Sequence, residues 1–249
     1  MIQRKAGDIS QLRSQMYGVE LSYGNTIDLL FAGIEANYFS NYANLMYNTH
    51  FDGSLSEIEA INIPNRNSGY SVRGNVSKRF DVIATTVNLA GGYMQSWSDL
   101  LRESVIMPSQ YSLITAELGF NTRITKAVRV EYKAMYNRSM STIANDTPPA
   151  INLLKQSADI DFIIAQRVIC RIGAEHFLNS AIEGGSRNTI FVDASIRFKH
   201  KRMEYSVEAR NILNNSMFMN ASNSNSMDYV YSYSLRPASV IFKVKFSFR

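Results

Sequence analysis

The feature that most constrains this chain is a period of two that runs from end to end and is clearest in its last twelve residues. There Val240, Phe242, Val244, Phe246 and Phe248 fall on one side of an extended strand, and Ser239, Lys243, Lys245 and Ser247 on the other, with Ile241 the one exception. A strand built this way has one apolar and one polar face. A soluble sheet also alternates, but a membrane β-barrel must do so in every strand, because one face meets lipid and the other the lumen.

The same alternation predicts strands through the rest of the chain. Tyr17, Val19, Leu21 and Tyr23 oppose Gly18, Glu20 and Ser22 before a turn at Asn25 and Thr26. From Ile27 to Tyr47 the parity shifts once, which reads as one long strand with a bulge near Ser40 and Asn41, or as two short strands. A loop at Asp52, Gly53 and Ser54 follows. Tyr70, Val72, Gly74, Val76 and Phe80 then face away from Arg73, and Val87, Leu89 and Tyr93 return after a turn at Asp81. Ile114 to Phe120, Val128 to Tyr136, Ala158 to Ile164, Val168 to Ala174, Val192 to Phe198 and Met203 to Ala209 complete a count of about eleven strands. Short turns near 25, 81, 126, 167 and 201 alternate with longer polar connections at 96–110, 139–150, 179–187 and 214–228. That rhythm is the one a barrel keeps between its periplasmic turns and extracellular loops.

Charge and aromatic placement agree with it. Mid-strand positions of the apolar face carry no Asp, Glu, Lys or Arg. The opposite face, expected to line a lumen, holds Glu20, Arg73, Glu117, Arg129, Glu131, Lys133, Asp159, Asp161, Arg171, Glu175, Asp193, Arg197, Glu208 and Arg210. On the apolar face Phe80, Phe120, Phe198 and Tyr205 lie beside short turns, whereas Tyr17, Tyr38, Tyr70, Tyr93 and Tyr136 lie toward the long loops. Two girdles at two interfaces are expected from that spacing.

Composition excludes several alternatives. No window approaches the eighteen apolar residues of a membrane helix, whereas strands of about 9–11 residues suffice for a barrel. The net charge of +5 comes from scattered Lys and Arg, apart from Lys199-His200-Lys201-Arg202, so nucleic acid is not an expected partner. The single Cys170 excludes an internal disulfide and is expected on the lipid face. His50, His176 and His200 have no metal-ligand neighbours at local spacing. Asp159 and Asp161 project to one side of a strand and could share a cation or act as paired carboxylates. A charge network with Arg171 or Arg197 is the reading preferred here. No nucleophile elbow, P-loop, zinc-protease or dinucleotide motif occurs, and no catalytic residue, cofactor or metal is assigned.

Residues 1–8 begin with basic residues but lack a following apolar segment, so they do not read as a secretory signal. An odd number of strands would also leave two edges unpaired in lipid. Both lead to the expectation that further strands precede this chain.

Val207-Glu208-Ala209-Arg210-Asn211-Ile212-Leu213-Asn214-Asn215, a polar loop, Tyr231-Ser232-Tyr233-Ser234-Leu235-Arg236-Pro237-Ala238-Ser239-Val240 and a final aromatic strand together resemble the carboxy-terminal end of TonB-dependent outer-membrane receptors. Tyr17-Gly18-Val19-Glu20-Leu21 resembles an internal strand of those barrels. Gly173 to Ser180 and Phe191 to Lys199 are similar to large barrels of Gram-negative gut anaerobes. The resemblance covers essentially the whole chain. It implies an all-β, antiparallel transmembrane barrel, of which this chain is the second half of twenty-two strands, in the outer membrane of a Gram-negative bacterium.

The resemblance further implies a receptor for energy-coupled uptake of a glycan, peptide or metal chelate. Substrate would meet loops 96–110, 139–150 and 214–228. The partners would be membrane lipid, the TonB complex through a plug domain that has no counterpart here, and a surface lipoprotein as a further candidate. Val240, Phe242, Val244, Phe246 and Phe248 would be read by the barrel-assembly machinery, although Arg249 replaces the expected terminal aromatic. The alternatives are a complete small outer-membrane barrel with a structural or adhesive role, requiring contact between first and last strands, and a soluble carbohydrate-binding β-domain, requiring apolar faces that meet in an interior.

Overall fold

A computed structural model describes residues 2–5, 9–52, 55–164, 167–224 and 227–247. Phe248 and Arg249, and parts of the turns expected at 52–54 and 166–167, lie outside the described residues. In chain order the strands are β1 (Ile2–Lys5), β2 (Leu12–Asn25), β3 (Leu30–Ala43), β4 (Met46–Asp52), β5 (Leu55–Ile61), β6 (Asn65–Phe80), β7 (Thr85–Arg102) and β8 (Val105–Arg123). They continue with β9 (Val128–Ile143), β10 (Ile151–Ile164), β11 (Val168–Asn179), β12 (Asn188–His200), β13 (Met203–Arg210), β14 (Met217–Ser224), β15 (Met227–Ser234) and β16 (Ser239–Phe246). Two single 3-10 turns, Asp81–Ile83 and Gly184–Arg187, are the only helical elements among the described residues.

Eleven of these strands form one antiparallel wall in which each pairs with its nearest wall neighbour in the chain, in the order β2, β3, β6 to β13, β16. The alternation in sequence fixes the register. Val130, Ile160, Ile172, Ala194, Ala209 and Val240 stand directly opposite one another across β9, β10, β11, β12, β13 and β16. Because a slip of one residue would turn every side chain to the other face, the match leaves one face apolar across the whole wall. Among the described residues β2 and β16 each have a partner on one side only.

The wall has almost no covering layer. Among the described residues the buried hydrophobic ones are Leu45, Met46, Leu101, Ile182 and Ala221, all at the loop end, and none belongs to the apolar stripe of the mid-wall. Ile34, Leu89, Ile172, Ile196 and Phe242 of that stripe are exposed, Ile172 at 49 %. The accessible surface is 17033 Å², against about 11,000 Å² for a compact soluble chain of this mass. Eleven strands at about 4.8 Å spacing, over an apolar height of about 25 Å, present roughly 1,300 Å² of continuous apolar face, whereas the largest patch on a soluble monomer is about 300–600 Å².

Four sequence expectations are corrected. The run from Ile27 to Tyr47 is not one bulged strand. β3 ends at Ala43, and after Asn44 and Leu45 the chain leaves the wall as the β4–β5 hairpin, with β5 pairing β1 in parallel and β4 touching the upper part of β7. The stretch 96–110 is not a loop but the upper part of the longest hairpin, β7–β8, closed by Glu103 and Ser104 alone. Both turn residues have positive φ, 48° and 62°, the geometry of a type I′ turn that Asn-Gly normally signals. Residues 139–143 continue β9, so that connection shrinks to 144–150. Residues 214–228 are largely strand, because β14 and β15 pair as a separate hairpin.

Candidate functional site

The charged face of the wall is organised by register. Arg129, Asp161, Arg171, Ser195 and Glu208 stand opposite one another on five consecutive strands. Arg171 clasps Asp161 with two bonds, Nε to Oδ1 at 2.6 Å and a terminal nitrogen to Oδ2 at 2.9 Å, while Arg129 approaches the same carboxylate at 3.7 Å. Asp161 is buried, at 7 % exposure, and bidentate pairing of this kind fixes both side chains. One step toward the loops, Asp159 lies between Glu131 on β9 and Gly173 on β11, with Asp193 beyond the glycine. Gly173 leaves room for that carboxylate, since a Cβ there would come within 2.7 Å of Asp159 Oδ1 and have it turn aside. Lys133 Nζ offsets the opposed carboxylates by donating to Glu131 at 2.8 Å.

Glu208 accepts from Arg210 at 2.7 Å and from Lys243 at 2.6 Å, joining β13 to β16. Arg73 meets Glu117 at 3.5 Å across β7, and Arg197 meets Glu204 at 3.7 Å. Glu20 stands opposite Glu35, which stands opposite Arg73. Glu175 is exposed and lies opposite Ser157 and Phe191. The two aspartates of β10 therefore share a face, but Asp161 is committed to arginines. Among the described residues no group of three His, Cys, Asp or Glu side chains could hold a metal ion.

On the apolar face the rings form two rows. Tyr17, Tyr38 and Tyr70 are directly opposite on β2, β3 and β6. Tyr70 packs against Tyr93 at 5.9 Å and against Trp97 at 5.7 Å, and Tyr136 donates to Asn152 Oδ1 at 2.7 Å. At the short-turn end Phe120 stacks on Tyr132 at 5.3 Å, Phe198 on Tyr205 at 6.4 Å, and Lys78 reaches over Phe80 at 6.0 Å. Trp97 was hidden from sequence reasoning because its stretch reads as a polar loop, although its parity with Tyr93 is visible. Val240, Phe242, Val244 and Phe246 share this face on the outermost strand, opposite Ala209, Val207, Tyr205 and Met203. Cys170 is on it too, opposite Phe162 and Ile196.

At the loop end the β14–β15 hairpin folds back onto the charged face. Phe218 packs edge-on against Phe177 at 5.3 Å and lies 6.0 Å from Phe191, and Asn179 Nδ2 donates to Ala221 O at 2.8 Å and Asn220 Oδ1 at 3.1 Å. Three asparagines pin the hairpin's base. Asn211 donates to Asn215 O and Arg236 O, Asn215 to Ile190 O, and Asn214 accepts from Ala238 N. Asn211 and Asn214 have φ of 52° and 55°, a conformation asparagine tolerates better than most residues. Beside this base lies a cleft of about 500 Å³ whose polar lining includes Asp159, Arg171, Glu175, Asp193, Glu208 and Arg236. Such a lining, with both signs of charge, can hold a polar ligand through directional hydrogen bonds.

Of the three histidines, His50 is held at the loop end, Nδ1 against Glu103 Oε2 at 2.6 Å and Nε2 against the buried Asn48 amide at 3.0 Å. The partners are 53 residues apart and come together only because β4 lies against the upper part of β7. His176 Nε2 is 3.3 Å from Asn188 Oδ1, and His200 stacks on Phe198 at 6.2 Å.

No family model matches the chain, and no curated protein matches it. Among solved structures it is similar to the crystal structure of the transport unit of the autotransporter AIDA-I from Escherichia coli, with 11% sequence identity over 96% of this chain and 83% of that chain, at a TM-score of 0.33. That likeness is too loose to carry a function from one protein to the other.

Proposed function

We propose that this chain forms the wall of an outer-membrane β-barrel, with its apolar face in lipid and its charged face toward a lumen. The observation that carries the reading is the continuous apolar face, which no protein layer covers among the described residues. In water it would cost about 25 cal/mol per Å² left exposed. The two ring rows border the band at both ends, where interfacial aromatics are favoured, and the charges are confined to the other face. A soluble β-domain would need a second layer against Ile34, Leu89 and Ile172, and the described residues supply none.

The edges extend the reading. Each unpaired backbone group in hydrocarbon costs several kcal/mol, so β2 and β16 require partners. Across eleven antiparallel strands β2 and β16 run in the same direction, so all-antiparallel closure takes an odd number of further strands. Eleven more would make the twenty-two-stranded barrel of TonB-dependent receptors, the family the carboxy-terminal motifs resemble. In that reading the chain is half the wall of an energy-coupled uptake channel for a glycan, peptide or metal chelate. The plug that engages TonB is supplied from outside these residues, and the cleft under the β14–β15 hairpin faces the lumen. The final strand is the signal for the assembly machinery.

Refolding the chain into detergent micelles, followed by circular dichroism and gel migration with and without boiling, tests it. The expected result is β-structure that requires detergent. A monodisperse, detergent-independent soluble protein would overturn the membrane reading. A compact heat-modifiable band from this chain alone would mean that the wall closes by itself, and would replace the half-barrel by a small complete one.

A further inference from the structure

The cations of the wall are unevenly placed, and the imbalance belongs to its short-turn end. The β6–β7 turn brings Lys78 and Arg79, the β8–β9 turn Arg123 and Lys126, and the β10–β11 turn Arg167. The β12–β13 turn adds Lys199, Lys201 and Arg202, and β16 ends beside them with Lys245. The acids of the same end are few and occupied. Asp81 accepts from Arg79 at 2.8 Å, Glu204 meets Arg197 at 3.7 Å, and Asp28 accepts from Asn25 at 2.7 Å. Except for Lys78, which reaches the Asp28 carbonyl, these nine basic side chains are exposed. The loop end is balanced by comparison, with Glu57, Glu59, Asp99, Glu103, Asp146 and Glu183 offsetting its arginines.

Two further observations say what such a collar meets. Basic clusters recur at every second strand interval, roughly 10 Å apart, in single file along a rim rather than converging on a pocket. Except for Lys78 and Arg79, which precede Phe80 on β6, they also sit immediately beyond the ring row of Phe80, Phe120, Tyr132, Phe198 and Tyr205, which marks the edge of the apolar band. Lys78 makes the junction explicit. It lies on the apolar face, its ammonium 6.0 Å from the centre of the Phe80 ring and donating to the Asp28 carbonyl of the neighbouring turn, the way a lysine reaches from hydrocarbon to headgroup depth.

We propose that the short-turn rim is a binding collar for the headgroups of anionic glycerophospholipids in the leaflet it enters. This inference rests on the membrane reading above and adds which lipid the wall selects and where. Basic residues at an anionic surface each contribute about fivefold in partitioning at low salt, and the contribution falls as salt rises. A free phosphate would need a convergent site, which a linear collar does not offer.

The test is flotation of the full chain, diluted from denaturant, with vesicles of phosphatidylcholine alone or with about one third phosphatidylglycerol. Partitioning is expected to rise at least about tenfold with phosphatidylglycerol, and the rise to shrink as sodium chloride is added. A variant carrying K126Q, K199Q, K201Q and R202Q should lose the larger part of that rise, at least about tenfold. One with the same charge change at the loop end, R13Q, R66Q, R138Q and R187Q, should keep it within about twofold. Equal losses in the two variants, or a rise insensitive to salt in the unaltered protein, would overturn the collar. Uptake into both vesicle types without preference would overturn it while leaving the membrane reading intact. A chain that stays soluble beside either vesicle would overturn both.

Discussion

Ile172→Arg separates a lipid-facing wall from a water-facing one by a margin large enough to measure. Ile172 lies on the apolar face between Ile160 and Ala194, four residues along β11 from Val168, which is opposite Phe198 in the short-turn ring row. Four residues span about 13 Å of strand. At a barrel tilt of about 40° this leaves roughly 10 Å of depth, more than an arginine side chain can snorkel with ease. If the face meets hydrocarbon, the substitution costs about 2–4 kcal/mol, or roughly thirtyfold to several hundredfold in the folding equilibrium. If the same face meets water, Ile172 is already 49 % exposed and the change stays within about 1 kcal/mol. The control is Asn88→Arg on the charged face, where Gly119 stands opposite and leaves room, at the cost of one exposed hydrogen bond from Ser77. Urea titration of the chain refolded into detergent micelles, read by far-ultraviolet dichroism, compares the midpoints at constant slope. A loss for Ile172→Arg no greater than for Asn88→Arg would refute the reasoning.

Three further outcomes follow from the geometry. Asp161→Ala strips two arginines of their shared acceptor and should lower stability by about 1–3 kcal/mol, with Asp161→Asn recovering part of it, measured by the same titration. Phe218→Ala removes ring contacts with Phe177 and Phe191 worth roughly 0.5–1.5 kcal/mol each beyond area; limited proteolysis should then cut within 217–234 sooner while the wall stays resistant. Gly69→Ala places a Cβ 2.4 Å from the Gln95 carbonyl and 2.7 Å from the Phe39 ring, so a loss of about 1–3 kcal/mol is expected, relieved in part by Phe39→Leu.

The wall was legible in the sequence because a period of two fixes both the strand and the face. Once Tyr17, Val72, Leu118 and Val130 are assigned to one side, register does the rest. What lay above the band was not. Beyond Trp97 the upper parts of β7 and β8 lose the clean alternation, with Ser98, Asp99, Ser109 and Gln110 interrupting Leu100, Leu101, Val105 and Ile106, so the pattern reads as loop. The turn between them, Glu103 and Ser104, carries no Asn-Gly or Asp-Gly to announce a hairpin. The break after Ala43 looked like a bulge because a parity shift is the same signal whether the chain continues or leaves the sheet.

The charge network was half visible. Arg171 could be named as a partner of Asp161 from strand neighbourhood, whereas Arg129, on the strand before, emerged only with the register. The meeting of His50 with Glu103, and of Phe218 with Phe177, depends on hairpins folding back from the wall, and no local pattern encodes that.

Trp97 offers the most direct test of the central claim, that the apolar face lies in lipid. It is the single tryptophan of the chain and sits in the loop-side ring row against Tyr70, 40 % exposed. Fluorescence of the chain taken up by vesicles containing lipids brominated at graded depths is expected to show blue-shifted emission, with quenching strongest from bromines near the interface and weaker from those at the bilayer centre. Emission characteristic of water, unchanged by brominated lipid at any depth, would contradict the account.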